Sequence, residues 1–238
     1  KAMGPVKLQA GFDAAYEQIG SSLREAKSTN DFEFTDKDRG NFSNGSTWTE
    51  WGAYVHGDLR LLNIGQGDHL KGLHLRTGIR GTQFGAFAPA SGGLTEDVQT
   101  HHFGVVGEAQ LALISPGKGS TWLAWHQGFR APNLQESTVL GNTGSKFEIP
   151  NPDLGPQRSD SLELGLRHQG GRLQVSGTLW ANLVRDFIDE EAASYEGQTE
   201  IDGSPVVKRV NADSATFYGA DASFRIQLSP ALAFANQF

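Results

Sequence analysis

The sequence contains no cysteine, so disulfide bonds, thiolate metal sites and cysteine nucleophiles are all excluded. It also lacks any apolar run that approaches the ~18 residues of a membrane-spanning helix. The first residues, Lys1-Ala2-Met3-Gly4-Pro5, carry no apolar signal-peptide core, and we expect this of a mature protein or an internal fragment.

Catalytic signatures are missing as well. There is no G-x-S-x-G elbow, no H-E-x-x-H motif and no phosphate-binding glycine loop. Asp97 lies close in sequence to His101 and His102, but this spacing is not diagnostic of a protease. The net charge is -7 and no basic stripe is visible, which argues against a nucleic-acid partner. We therefore expect neither an enzyme nor a nucleic-acid-binding protein.

What the sequence does contain is strict alternation of apolar and polar residues, the period of a β-strand with one buried or lipid-facing side. We recognise nine such runs. They cover residues 6–17, 51–61, 73–82, 102–113, 121–130, 162–167, 173–183, 220–228 and, as the start of a ninth, 231–238. The pattern predicts an all-β, antiparallel fold.

The connections between these runs alternate between long polar segments and short turns. Long loops are predicted at about residues 21–46, 85–97, 131–156 and 189–204. Charged and amide residues fall on one face of nearly every run, while the other face is almost uncharged. Short turns at one end and long loops at the other are typical of a transmembrane β-barrel in the outer membrane, surrounded by lipid. A soluble β-sandwich, such as a carbohydrate-binding module, is the alternative.

Bacterial single-chain barrels have an even number of strands. If the short turns are periplasmic, the first and ninth runs both cross the membrane from the periplasmic to the extracellular side. The chain would then end on the extracellular side, opposite to where the first strand begins. We therefore expect residues 1–238 to be an internal or truncated piece of a larger barrel. The alternative is a complete small barrel whose terminal Phe238 is its assembly signal.

Two proline-bearing boxes bracket the third long loop. The first is Phe129-Arg130-Ala131-Pro132 and the second is Asn151-Pro152-Asp153-Leu154, which is followed by Glu163-Leu164-Gly165. With the later stretch 211–221, this order resembles the TonB-dependent outer-membrane receptors closely over 122–228. Upstream of Ser115 only strand periodicity supports the resemblance.

The resemblance implies a 22-stranded barrel closed by an N-terminal plug, of which this chain holds about nine strands. Neither plug nor TonB box is recognisable in the sequence. The implied function is import of a scarce, bulky ligand, most readily a ferric siderophore, by TonB-energised gating. Haem or cobalamin import and a passive porin-like channel are the alternatives. The implied partners are TonB, the ligand and outer-membrane lipid, with no cofactor.

The resemblance places the eight box residues at the extracellular rim. Arg130 is expected to face the lumen, where it pairs with a carboxylate or attracts an anionic siderophore. His101 and His102 are the local candidates for iron or haem, since neutral imidazole binds such metals; the plainer interpretation is two polar residues at a strand end. Residues 133–150 contain no histidine, which counts against haem ligation by this loop.

Four carboxylates crowd the first long loop: Asp31, Glu33, Asp36 and Asp38. Oxygen ligands suit Ca²⁺, but the spacing lacks the full calcium-loop pattern. We interpret this segment as a solvated acidic loop and expect no metal site.

Overall fold

The computed structural model describes residues 6–27, 33–65, 71–115, 117–229 and 232–237. In chain order the elements are β1 (Val6–Ile19), β2 (Leu23–Lys27), β3 (Glu33–Lys37), β4 (Ser46–Ile64), β5 (Lys71–Ala88), β6 (Val98–Ser115), β7 (Gly119–Arg130), α1 (Leu134–Thr138), β8 (Gly141–Asn142), β9 (Phe147–Ile149), β10 (Gln157–Gly170), β11 (Leu173–Ala192), β12 (Glu200–Ile201), β13 (Ser204–Ser229) and β14 (Leu232–Gln237).

Nine of these strands form one antiparallel ladder, in the order β1-β4-β5-β6-β7-β10-β11-β13-β14. Each strand of this ladder overlaps one of the nine alternating runs, and most of the strands are longer than the run that predicted them. The all-β, antiparallel prediction is confirmed. In the described part of the chain, no helix has the length and apolar character needed to cross a membrane.

The two faces of the sheet differ as the alternation predicts. One face exposes large apolar side chains along its whole length, including Leu8, Ile79, Phe103, Leu164 and Leu179. A patch of this extent is far larger than a monomeric soluble protein exposes. It therefore needs an apolar environment such as lipid.

The opposite face, called here the polar face, carries a network of ion pairs that run between strands. Arg80 binds both carboxylate oxygens of Asp13 at 2.7 Å. Asp58 lies between His74 Nδ1, at 2.8 Å, and Arg76 Nε, at 3.0 Å. Such half-exposed pairs each contribute little stability. They link β1, β4 and β5 across a surface that water can reach.

Glycines on the polar face are covered by large side chains of the neighbouring strand. The indole of Trp122 lies over Gly165, that of Trp180 lies over Gly219, and the ring of Tyr54 covers Gly11. Each pair is directly opposite in the strand register. Because glycine has no Cβ, the large side chain can lie flat against the sheet, which keeps the polar face smooth.

The long connections are more ordered than predicted. Residues 21–46 were expected to be loop, but β2 and β3 form a two-stranded sheet within them. The expected loop at 189–204 is shorter, because β11 continues to Ala192 and β12 pairs with β13. The third long loop contains α1, β8 and β9. Polar composition indicated loop in each case, and it carries no information about pairing between distant segments.

The ladder is interrupted between β6 and β7. Their pairing stops at Glu108–His126 and does not continue to the end of β7. Beyond that point the side chain of Gln127 accepts a hydrogen bond from Gly107 N at 3.2 Å, and the ring of Phe129 covers Gly104. The sheet therefore opens toward the long-loop end, next to the first proline-bearing box.

Candidate functional site

The buried part of the molecule lies at the end of the sheet where the long connections meet. Its largest fully buried side chains are Leu154, Val139, Val206, Thr138, Pro132, Ser43, Ser46 and Ser137. All of them belong to long connections or to strand ends beside them. We call this packed region the loop layer, formed by residues 38–45, 89–97, 131–156 and 193–206.

The first box leads into the short helix α1, and Arg130 stabilises that helix by binding one of its side chains. Asn133 caps α1 by accepting from Glu136 N at 2.9 Å, and Glu136 Oε2 accepts from Asn133 N at 2.9 Å. The guanidinium of Arg130 donates to both Glu136 oxygens at 3.1 and 2.8 Å and to Gln157 Oε1 at 3.0 Å. The carboxylate that Arg130 pairs with is thus in the loop that follows it, and the pair fixes where the loop leaves β7.

The second box is fastened to β13. Asn151 Nδ2 donates to the carbonyl oxygen of Arg209 at 2.7 Å. Its Oδ1 accepts from Asp153 N at 3.2 Å, which closes a local turn. Leu154 is 1% exposed, and Gly155 is held through both backbone groups by Asn211. The two boxes therefore act as the two fixed ends of one folded loop.

Arg39 joins the first two long loops. Its guanidinium donates to the carbonyl oxygens of Asn41 at 2.6 Å, Gly40 at 3.0 Å and Ser91 at 3.5 Å. The side chain is buried, and burial lowers the pKa of the Arg39 guanidinium from its ordinary value because a charged group loses its hydration. The carbonyl oxygens replace that hydration, and their hydrogen bonds to Arg39 hold the first two long loops together.

A strand from the third loop pairs with β13 in parallel, with Val206 opposite Phe147. Four charged side chains surround this pairing: Lys146, Glu148, Glu190 and Arg209. Glu148 is 2% exposed and accepts from Thr143 Oγ1 at 2.8 Å. Glu190 binds Lys146 and, at 2.7 Å, Arg209. These alternating charges hold the β8–β9 segment against β11 and β13.

An aromatic row lies beside the loop layer. The ring of Phe84 is 5.7 Å from that of Trp48 and 5.8 Å from that of Phe129, measured between centroids. The guanidinium of Arg158 lies 5.7 Å from the Phe129 centroid. All three rings are half-buried, so each keeps an accessible edge or face. Planar rings next to a cation form a surface for a flat, electron-rich or anionic ligand.

The predicted ligand residues lie as follows. His101 and His102 are consecutive residues of β6, so their side chains point to opposite faces of the sheet. His101 contacts Gln99 across 2.9 Å, and His102 lies on the polar face with a buried ring nitrogen, Nε2, that has no hydrogen-bond partner. The two rings cannot bind one ion together, and each is a separate candidate contact.

The described carboxylates of the first long loop do not gather into a cluster. Asp36 pairs with Arg24 at 2.7 Å across the β2–β3 hairpin. Asp31 lies outside the described residues. No group of three potential metal-binding side chains is found among the described residues.

Sequence patterns did not indicate the aromatic row, the Arg130–Glu136 pair or the charged group around Glu148. The residues next to Trp48 and Phe84 in sequence do not indicate that the two rings lie on one surface. The capping sequence Asn133-x-x-Glu136 is the one signal that a capping-box search would have found.

Comparison with known proteins gives a consistent family. A sequence model described as "TonB dependent receptor-like, beta-barrel" matches residues 4–238. A curated relative, the iron-regulated outer membrane virulence protein of Vibrio cholerae serotype O1, is 32% identical over 118 residues, which is 47% of this chain and 18% of that protein.

Solved structures share the fold. The copper transporter OprC superposes with a TM-score of 0.68 at 18% identity, covering 98% of this chain and 35% of that one. The hemophore receptor HasR of Serratia marcescens gives 0.67 at 14% identity, covering 93% and 36%. The siderophore receptor PirA of Pseudomonas aeruginosa gives 0.54 at 15% identity, covering 96% and 45%. The chain thus spans less than half of each of these relatives.

Proposed function

The chain belongs to the TonB-dependent receptor β-barrel family, and on that premise we propose that it is part of a receptor that imports a ferric siderophore by TonB-energised gating. The family and the similar structures are receptors and transporters of the bacterial outer membrane, not enzymes. In this setting the long-loop end is extracellular and the polar face lines the lumen. The rest of the barrel and a plug would complete the transporter.

The aromatic row at the mouth is the observation that supports a siderophore most strongly. Trp48, Phe84 and Phe129 offer three neighbouring rings, and Arg158 adds a cation at one end. Catecholate and related iron chelates are flat in their arms and carry negative charge, so they suit ring stacking combined with arginine.

Haem import remains the second candidate, since a porphyrin also stacks on aromatic rings and the solved HasR structure contains heme. It is less well supported because residues 133–150 contain no histidine. Among the described histidines, His102 lies near the mouth on the polar face.

The test is ligand binding and uptake by the full-length receptor. Quenching of tryptophan fluorescence by a ferric tris-catecholate, a ferric hydroxamate and haemin ranks the ligand classes on the purified protein. Uptake of the iron-labelled ligand is then compared in otherwise identical cells with and without TonB. We expect catecholate binding and TonB-dependent uptake. Binding of haemin alone would favour the haem receptor, and uptake that persists without TonB would favour a passive channel.

Replacement of Phe129 by alanine tests whether the aromatic row is the binding surface. Phe129→Ala removes the ring between Phe84 and Arg158 and should weaken ligand binding by about tenfold, about 1.4 kcal/mol. Phe103→Ala removes an exposed ring from the apolar face and should leave binding unchanged. Equal affinities in both variants would show that the row is not the binding surface.

A further inference from the structure

A cleft of about 820 Å³ lies at the short-turn end of the polar face, far along the strands from the loop layer. Strands β7, β10, β11, β13 and β14 contribute to its wall. We call it the basic cleft and define it by Trp122, Arg167, His168, Ser176, Ser223 and Arg225. No aspartate or glutamate is among the described residues that line it.

The two arginines of the basic cleft differ from Arg76 and Arg80, two other arginines of the polar face. Arg76 is bound by Asp58 of the adjacent strand β4, and Arg80 is bound by Asp13 of β1, one strand further away. Within the described ranges, neither the Arg167 nor the Arg225 guanidinium makes a hydrogen bond or an ion pair. Their donors are therefore available to a group from outside these strands.

The register places the arginines around a pair of hydroxyl groups. Arg167 is directly opposite Ser176, which is opposite Ser223, and the two hydroxyl oxygens are 2.6 Å apart. Arg225 is two residues along β13 from Ser223 and shares its face. Two guanidinium groups, each with several N–H donors, thus flank two short hydroxyl side chains.

The floor of the cleft is flat because Trp122 lies over Gly165. A planar guanidinium donates two parallel hydrogen bonds to a carboxylate, a geometry that lysine cannot provide. One serine hydroxyl donates to the other, so the second hydroxyl is free to donate to another carboxylate oxygen. No aspartate or glutamate among the described wall residues competes for the arginines.

From this arrangement we propose that the basic cleft binds carboxylate groups. The carboxylate comes either from a small anionic molecule in the lumen or from an acidic side chain of the same protein outside the described residues. The proposal does not depend on the imported ligand or on TonB, so its test is separate from that of import.

The test uses the full-length protein in detergent at low ionic strength, with citrate as the probe, and isothermal titration calorimetry and thermal unfolding as measurements. The variants are R167Q and R225Q. R172Q is the matched control, because Arg172 is an exposed arginine of the β10–β11 turn that does not line the cleft. We expect citrate to bind the unmodified protein, with a dissociation constant at least tenfold higher in R167Q and R225Q and unchanged in R172Q.

A carboxylate that comes from an acidic side chain of the same protein gives a different result. If citrate does not bind, but R167Q and R225Q unfold several degrees lower while R172Q does not, then the protein itself supplies the carboxylate. Identical citrate binding and unfolding in all four proteins would overturn the proposal. Equal loss of citrate affinity in R172Q would also overturn it, since that result shows unspecific attraction between charges.

Discussion

Asn211 holds both backbone groups of Gly155. Its Oδ1 accepts from Gly155 N at 2.7 Å, and its Nδ2 donates to Gly155 O at 3.0 Å and to Asp186 O at 3.0 Å. One side chain of β13 therefore fixes the point where the third long loop returns to the sheet. Gly155, which directly follows the second box, and Asn211 are 56 residues apart in sequence and form one structural unit.

Asn211→Ala should release this anchor. The variant loses up to three hydrogen bonds, each with a net value of about 1 kcal/mol, so we expect a local destabilisation of about 2–3 kcal/mol. Amide hydrogen exchange at Gly155 and protease cleavage within 131–156 should both become faster. Asn63→Ala is the control, because Asn63 is exposed in β4 and its side chain makes no hydrogen bond among the described residues. Unchanged exchange at Gly155 in N211A would contradict the anchoring role.

Glu136→Ala should unfasten α1. The substitution removes the carboxylate that caps Asn133 N and binds Arg130. A lost cap costs about 1 kcal/mol, and the half-exposed ion pair adds little because water screens it. We expect faster hydrogen exchange over 134–138 with little change in the unfolding of the whole protein. Gln135→Ala, one residue away and outside this network, should behave like the unmodified protein.

Gly165→Ala should be damaging, although alanine is the smallest substitution. A Cβ at position 165 would overlap the indole of Trp122, which has to move off the sheet. Overpacking of this kind costs about 1–3 kcal/mol. Gly177→Ala is the matched control, since its nearest neighbour would be Asp221 O at 3.8 Å, an ordinary contact.

The folded fraction of these glycine variants is measured by comparing the gel migration of heated and unheated samples, and by urea unfolding. The double variant G165A/W122A should recover most of the loss seen in G165A, because the clashing ring is gone. A G165A protein as stable as G177A would show that the indole is free to move.

Glu190→Ala should loosen the β8–β9 segment. Lys146 and Arg209 would then share Glu148 alone, which leaves partly buried positive charges without full compensation. Because both cations keep roughly a quarter of their surface exposed, we expect a destabilisation of about 1–3 kcal/mol. This is less than the destabilisation caused by breaking a fully buried ion pair. Limited proteolysis within 141–149 measures the effect. Glu191→Ala, an exposed neighbour outside the described ion pairs, should leave cleavage unchanged.

The strands could be predicted because their cause is local. Alternation along a run is visible in ten consecutive residues, and all nine runs became strands of one ladder. The order of long and short connections also follows from the sequence, since turn residues mark the short ones. The loop layer could not be predicted in this way. Its contacts join residues far apart in the chain, such as Arg39 with Ser91 and Tyr195 with Gly93.

The candidate site was predictable in part. Arg130 and the two boxes were recognised as motifs, and the family resemblance predicts that they lie at the extracellular rim. Their partners were not visible, because Glu136 is one of many acidic residues and nothing local singles out Asn211 as the partner of Gly155. Likewise, Trp48, Phe84 and Phe129 form a row only after the four strands β4 to β7 are set side by side.

By itself, the sequence determined the strand periodicity, the polar and apolar faces and the family of this protein, because each depends on residue types at short, fixed spacings. The tertiary structure alone decided which charges are paired and which glycines are covered. It also decided that the long loops pack into one layer and that Arg167 and Arg225 face an open cleft. The physical reason is register: a side chain's partner lies on a neighbouring strand or loop, and only the folded sheet sets the two opposite each other.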